Sequence, residues 1–164
     1  MNDLDLEATE NSFHFALGSF YSTWSAAETF IDFGLGKFLN VTHGHANLLG
    51  ACLEFSRKAA LLRTLVANSS DPKKELIIKA LNFIQNDANR NMFAHSIVRV
   101  EPGQVIFIER SRYGKFTSKK HSFTLKQFLD HVKLCTDAAG NLSLGLGSTD
   151  DVLEPFLKAA ENHQ

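Results

Sequence analysis

The sequence predicts an all-α protein, an antiparallel four- to five-helix bundle with a small β-hairpin inserted between the third and fourth helices. Three observations carry this. Apolar residues recur every three or four positions along four long stretches. A single β-branched interlude follows position 95, and the connections are short enough for consecutive helices to lie antiparallel.

Phe13, Leu17, Phe20, Trp24, Ala27, Ile31 and Phe38 form the stripe of a first helix, a face suited to a core or a dimer surface. Gly34 and Gly36 each cost a helix about 1 kcal/mol relative to alanine, which predicts a bend or an early end near Gly34. Leu48, Cys52, Phe55, Ala59, Leu62 and Val66 follow without a break in spacing and predict one long second helix. After Asn68-Ser69-Ser70, Asp71 is placed to cap a third helix and Pro72 to occupy its first turn. The stripe of that helix, Ile77, Leu81, Ile84, Ala88 and Met92, runs on toward His95.

From Ser96 to Val100 the chain turns β-branched, Pro102-Gly103 signals a turn, and Val105 to Ile108 is continuously apolar. With a further turn at Tyr113-Gly114, this predicts a hairpin or a three-stranded meander. Thr124-Leu125-Lys126-Gln127 has the reciprocal capping-box pattern, with Phe123 and Phe128 placed to staple it. A fourth helix begins there, faced by Leu125, Phe128, Val132, Cys135, Ala139 and Leu142. Gly140 to Ser148 is rich in glycine and serine.

The 164 residues suit a single domain, with a core over about 12–145 and a short C-terminal helix or tail over 146–164. A net charge of -1 means that any nucleic-acid contact needs a local basic patch. The 2 cysteines exclude a disulfide framework, and Cys52 and Cys135 read as buried apolar side chains in a reducing compartment. An acidic N-terminus and the lack of a long apolar run predict a cytoplasmic protein with no membrane association. The 14 phenylalanines are many for this length, so part of them are expected in an interface.

One pattern carries chemistry: Arg90-Asn91-Met92-Phe93-Ala94-His95, at the end of the third stripe. Four residues apart on a helix, Asn91 and His95 share a face, so the amide can orient the imidazole. Arg90 lies about 140° from His95 around an ideal helix axis. Convergence of the two therefore requires a helix end, the reach of the guanidinium, or a second copy of the motif across a two-fold axis. A guanidinium binds phosphate oxygens bidentately and stabilises charge that grows on a transferring phosphoryl group. An imidazole moves protons near neutral pH.

This hexapeptide, its place at the end of a third helix and the surrounding long helices resemble the HEPN superfamily, whose ribonuclease members carry an Arg, a polar residue that is often Asn, three variable positions and a His. The resemblance implies a homodimer whose two motifs face a shared cleft, with Arg90, Asn91 and His95 as catalytic residues. The implied activity is a metal-independent endoribonuclease that needs no cofactor and cleaves RNA by 2′-hydroxyl transesterification. It also implies a toxin or antiphage setting with a regulatory or antitoxin protein partner. HEPN domains equally serve as non-catalytic dimerisation, partner-binding or nucleotide-binding modules. Some HEPN toxins have a tyrosine two residues after the His, modified by a partner nucleotidyltransferase; Ile97 stands there and disfavours that route.

Two further patterns are weaker. Arg110, Arg112, Tyr113, Lys115, Lys119 and Lys120, continuing to His121, interleave bases with aromatics on an expected hairpin tip and are the candidate RNA-binding residues. The simpler reading of these residues is a solvated hairpin whose lysines guard a strand edge against aggregation. His43-Gly44-His45 lacks third and fourth ligands, so no metal is expected there. His14 and His131 carry no motif and no assigned role.

Overall fold

The structure, a computed structural model, describes residues 3–110 and 118–161. Its elements in chain order are α1 (Asp3–Leu39), α2 (His43–Cys52), α3 (Phe55–Ala67), α4 (Lys74–Asn86), α5 (Arg90–His95), β1 (Ile97–Glu101), β2 (Gln104–Arg110), β3 (Ser118–Thr124), α6 (Leu125–Leu146) and α7 (Asp150–Glu161). Helices dominate, seven of them among the described residues, with one antiparallel sheet of order β1-β2-β3 between α5 and α6. The β element stands where the sequence places it and is a three-stranded meander. No helix of the described residues is long and apolar enough to cross a membrane.

Helix α1 continues through Gly34 and Gly36 to Leu39, so the early end expected near Gly34 does not occur. Both glycines are buried by close neighbours: a Cβ on Gly34 would lie 2.9 Å from Leu62 Cδ2, and one on Gly36 2.8 Å from Ala46 Cβ. Their small size serves packing, and that packing offsets the propensity cost. The helix ends at Asn40, whose φ of 52° is left-handed, with Val41 N donating to Gly36 O at 3.1 Å in a Schellman closure.

The expected single helix from Leu48 to Val66 is two helices. Leu53 and Glu54 are extended, and Glu54 O accepts from Arg57 N and Lys58 N to start α3. The break resets the phase, leaving Leu48 and Cys52 exposed and burying Lys58, Ala59, Leu62 and Val66. It also seats Phe55 against Trp24 at 4.3 Å between ring centroids. Cys52 is thus not the buried thiol expected from composition. Cys135 is buried, and burial pushes its thiol up to about 12.

The third stripe is also divided. Asp71 Oδ1 accepts from Lys73 N at 2.8 Å in a turn that precedes α4 by two residues, later than the expected start. Helix α4 closes at Asp87, Asn89 takes a left-handed φ of 55°, and α5 begins anew at Arg90. Asparagine tolerates this conformation at little cost. The run Asn86-Asp87-Ala88-Asn89 was therefore a legible break signal that apolar periodicity overrode.

The capping box at α6 is formed in full: Gln127 N donates to Thr124 Oγ1 at 3.1 Å, and Thr124 N to Gln127 Oε1 at 2.8 Å. Thr124→Ala should destabilise the protein by about 0.5–2 kcal/mol in urea unfolding, and unchanged stability would show that this end is held by packing alone. Helix α6 includes the glycine-rich stretch through Leu146. It stops at Gly147, with φ of 69°, where Ser148 N reaches Ser143 O at 3.0 Å. Of the short C-terminal helix or tail expected over 146–164, the structure has the helix, α7, with Phe156 buried.

The chain divides into two compact units, Met1–Tyr21 with Ala88–Leu134 and Ser22–Asp87 with Cys135–Gln164. The first has an aromatic core in which Phe93 lies 4.9 Å from Phe107, 5.0 Å from Phe20 and 5.4 Å from Phe128 between ring centroids. The second is mainly aliphatic: Ile31, Leu35, Leu62, Val66, Ile77, Leu81 and Leu142 are all fully buried. Within it, the buried Lys58 holds Asp32, and Phe156 of α7 sits against Phe33 and His43.

Candidate functional site

The hexapeptide occupies the whole of α5, a helix of 6 residues in the first unit. A helix this short is not stable by itself, so packing must hold it. Met92 and Phe93 supply that hold, both buried in the aromatic core. Three hydrogen bonds fix its ends: Phe93 N to Asn89 O at 3.1 Å, Ser96 N to Met92 O at 3.1 Å, and Tyr21 Oη to Phe93 O at 3.2 Å. With positions 92 and 93 turned inward, Arg90 is half-buried, and Asn91 and His95 are exposed.

The expected pairing of Asn91 with His95 is replaced by another. Asn91 Oδ1 accepts from Arg90 Nη1 at 3.4 Å, so the amide steadies the guanidinium rather than the imidazole. The physical reason is the restart at Asn89: with Arg90 and Asn91 in the first turn, their side chains lie side by side at a helix end. His95 stands in the last turn, one residue before the extended Ser96 leads into β1. Arg90 and His95 are thus the first and last residues of one short helix, and their convergence falls to the reach of the guanidinium or to a second copy of the motif.

His131, to which the sequence assigned nothing, supports this helix. Its Nε2 donates to Ala88 O at 3.2 Å, and its ring packs on Phe93 at 5.4 Å between centroids. It thereby ties down Ala88, two residues before α5, as well as the buried face of α5. Its spacing of three from Phe128 on one face of α6 was the only signal for this role, and that spacing says nothing about a carbonyl partner on another segment.

Of the candidate RNA-binding residues, Arg112, Tyr113 and Lys115 lie outside the described residues, as does the expected hairpin tip, and so does the side chain of Arg110. Lys119 and Lys120 are exposed on β3, level with Glu109 and Ile108 of β2. As consecutive strand residues they belong to opposite faces of the sheet, so they do not grip one phosphate together. The acid-free run from Arg110 to His121 is partly compensated by its neighbouring strand, because His121 Nε2 lies 3.1 Å from Glu109 Oε2.

His43 and His45 have structural partners. His45 Nδ1 is 2.9 Å from Thr42 Oγ1 at the start of α2, and the His43 ring sits 5.9 Å from that of Phe156.

Together the fold and the motif define a helix-dominated chain with a β meander that presents an Arg-Asn-x-x-x-His helix to solvent. No family model, no curated protein and no solved structure matches the chain.

Proposed function

We propose that this protein is a metal-independent endoribonuclease of HEPN type, acting as an antiparallel-bundle homodimer in which two copies of α5 face a shared RNA-binding cleft. The observation that supports it best is the presentation of Arg90, Asn91 and His95 on a six-residue helix whose other face is locked into an aromatic core. Preorganisation of this kind is what a cleavage site requires, because the geometry need not be assembled when the substrate arrives.

In this reading Arg90 binds the non-bridging phosphate oxygens, and Asn91 holds its guanidinium. His95 transfers protons to or from the reacting oxygens. The 2′-oxygen attacks phosphorus and the 5′-oxygen leaves, giving a 2′,3′-cyclic phosphate and a 5′-hydroxyl; DNA lacks the attacking group and should be inert. The cytoplasm and a toxin or antiphage system with a regulatory partner are the setting that this assignment suggests.

A second reading, a non-catalytic dimerisation or partner-binding module, draws on Phe15, which is 78% exposed on α1. Incubation of single-stranded RNA with purified protein in EDTA separates the two. Cyclic-phosphate products that disappear in Arg90→Ala and His95→Ala support the nuclease, and intact RNA across varied sequences supports the module.

A further inference from the structure

A second ionisable pair lies on the same unit as α5. His121 Nε2 is 3.1 Å from Glu109 Oε2, across two neighbouring strands, and the His121 side chain is 25% exposed. Transesterification needs two proton transfers, one from the 2′-hydroxyl and one to the 5′-oxygen, and the hexapeptide supplies a single imidazole per chain.

The sheet register brings these groups toward one another. Val98, Phe107 and His121 form one row across β1, β2 and β3. Their face of the sheet is the one on which α5 packs, since Phe93 lies against Phe107. The next row on that face contains Glu109 and Lys119. Ser96, extended with φ of -82° and ψ of 153°, is the residue just before β1, whose first pair is Ile97 with Ile108, next to Glu109. His95 immediately precedes Ser96. The Ser96 hydroxyl is buried without a hydrogen-bond partner among the described residues, a donor available to a ligand oxygen. His121 is two strand spacings from β1, about 10 Å at the backbone. Its ring is drawn toward the Glu109 row, and thus toward the His95 end of the sheet.

We propose that His121, oriented by Glu109, is the general base of the RNA-cleaving site and His95 its general acid, with Lys119 and Ser96 contacting the phosphate between them. The proposal rests on the ribonuclease reading and makes the acid–base pair complete within one chain. The Glu109 carboxylate accepts hydrogen from Nε2, which leaves Nδ1 to take the 2′-hydroxyl proton. The 2′-oxygen then forms its bond to phosphorus as the bond to the 5′-oxygen breaks. That oxygen takes a proton from the His95 imidazolium. His121 ends protonated and His95 neutral, and exchange with water resets both.

The test is cleavage of single-stranded RNA in EDTA as a function of pH by wild type, His95→Ala, His121→Ala and Glu109→Gln. Binding of a 2′-deoxy oligonucleotide, followed through the histidine NMR signals, runs alongside. His121→Ala should slow cleavage by about 10²–10⁴-fold without a matching loss of affinity and should remove the acidic limb of the pH profile. Glu109→Gln should slow it less and distort the same limb. In wild type the His95 and His121 signals should shift along one binding isotherm while His14 stays still. If His121→Ala cleaves like wild type and His95→Ala is dead, His121 is overturned and the nuclease stands with both protons carried by paired copies of His95. If wild type cleaves no RNA, the nuclease reading and His121 as base both fall.

Discussion

Metal-free cleavage of single-stranded RNA should fall by about 10²–10⁴-fold in His95→Ala, the loss typical of removing a positioned proton-transfer group. Because His95 is exposed, thermal stability should stay within about 0.5 kcal/mol of wild type, so the lost activity is not lost folding. Arg90→Ala should fall by a similar factor through loss of phosphate contact and transition-state stabilisation. Arg90→Lys should recover little, since an ammonium cannot reproduce the planar fork or the side-by-side contact with Asn91. Full activity in either alanine variant would remove α5 from the chemistry. Phe93 connects this result to the fold: it is the residue through which the aromatic core sets the position of Arg90 and His95.

Lys58→Ala should destabilise the protein by about 3–5 kcal/mol, the largest stability effect expected of a single substitution at a polar site here. Lys58 is 6% exposed, and its Nζ stands 3.0 Å from both carboxylate oxygens of Asp32, donating to Oδ2 and making an ion-pair contact with Oδ1. Helix α2 covers the pair at Gly50, where a Cβ would fall 2.4 Å from Asp32 Cγ. Removing the ammonium strands a carboxylate whose pKa is already raised. Desolvation by burial is the main cause, opposed by Lys58 and assisted by Glu28.

A folded-state value above the unfolded one means that ionisation of Asp32 costs stability. Its stabilising contribution is complete below the ordinary carboxylate value of 3.8 and is lost as pH rises through the raised one. Lys58→Met, which keeps the packing of the stem, should therefore lose more stability at neutral than at acid pH. The double variant Lys58→Met/Asp32→Asn should lose that pH dependence. Urea unfolding on either side of the carboxylate range measures both, and a pH-independent loss would show that the charge pair is not its source.

Particular elements show why some of this was legible in sequence and some was not. The capping box at Thr124, the meander after Ser96 and the apolar stripes of α1, α4 and α6 follow from local rules: side-chain reach to free amides, β-branching, and period. The break at Leu53 and Glu54 did not follow, because both residues favour helix in isolation. Only the seating of Phe55 on Trp24 and of Lys58 on Asp32 makes the interruption favourable. The break at Asn89 was half legible, written in its asparagines but masked by a stripe whose period continues across it, with Ala88 and Met92 buried on either side. In the candidate site, the residue types Arg90, Asn91 and His95 were readable. Their pairing was not, because Asn91 turns to Arg90 once the helix restarts between them and α4.

What the amino-acid string determined alone was what is encoded within a few residues of itself: helical class, the β insertion, the capping box at Thr124, and the presence of a guanidinium, an amide and an imidazole five positions apart end to end. The tertiary structure decided where helices stop without a local stop signal, which glycines serve packing, and which side chains distant in sequence meet, such as His131 with Ala88 and Glu109 with His121. The division has one physical cause. Backbone propensities and caps are worth about 1 kcal/mol each and act locally, whereas burying an aromatic ring or pairing a buried charge is worth several and depends on partners that only the folded chain brings together.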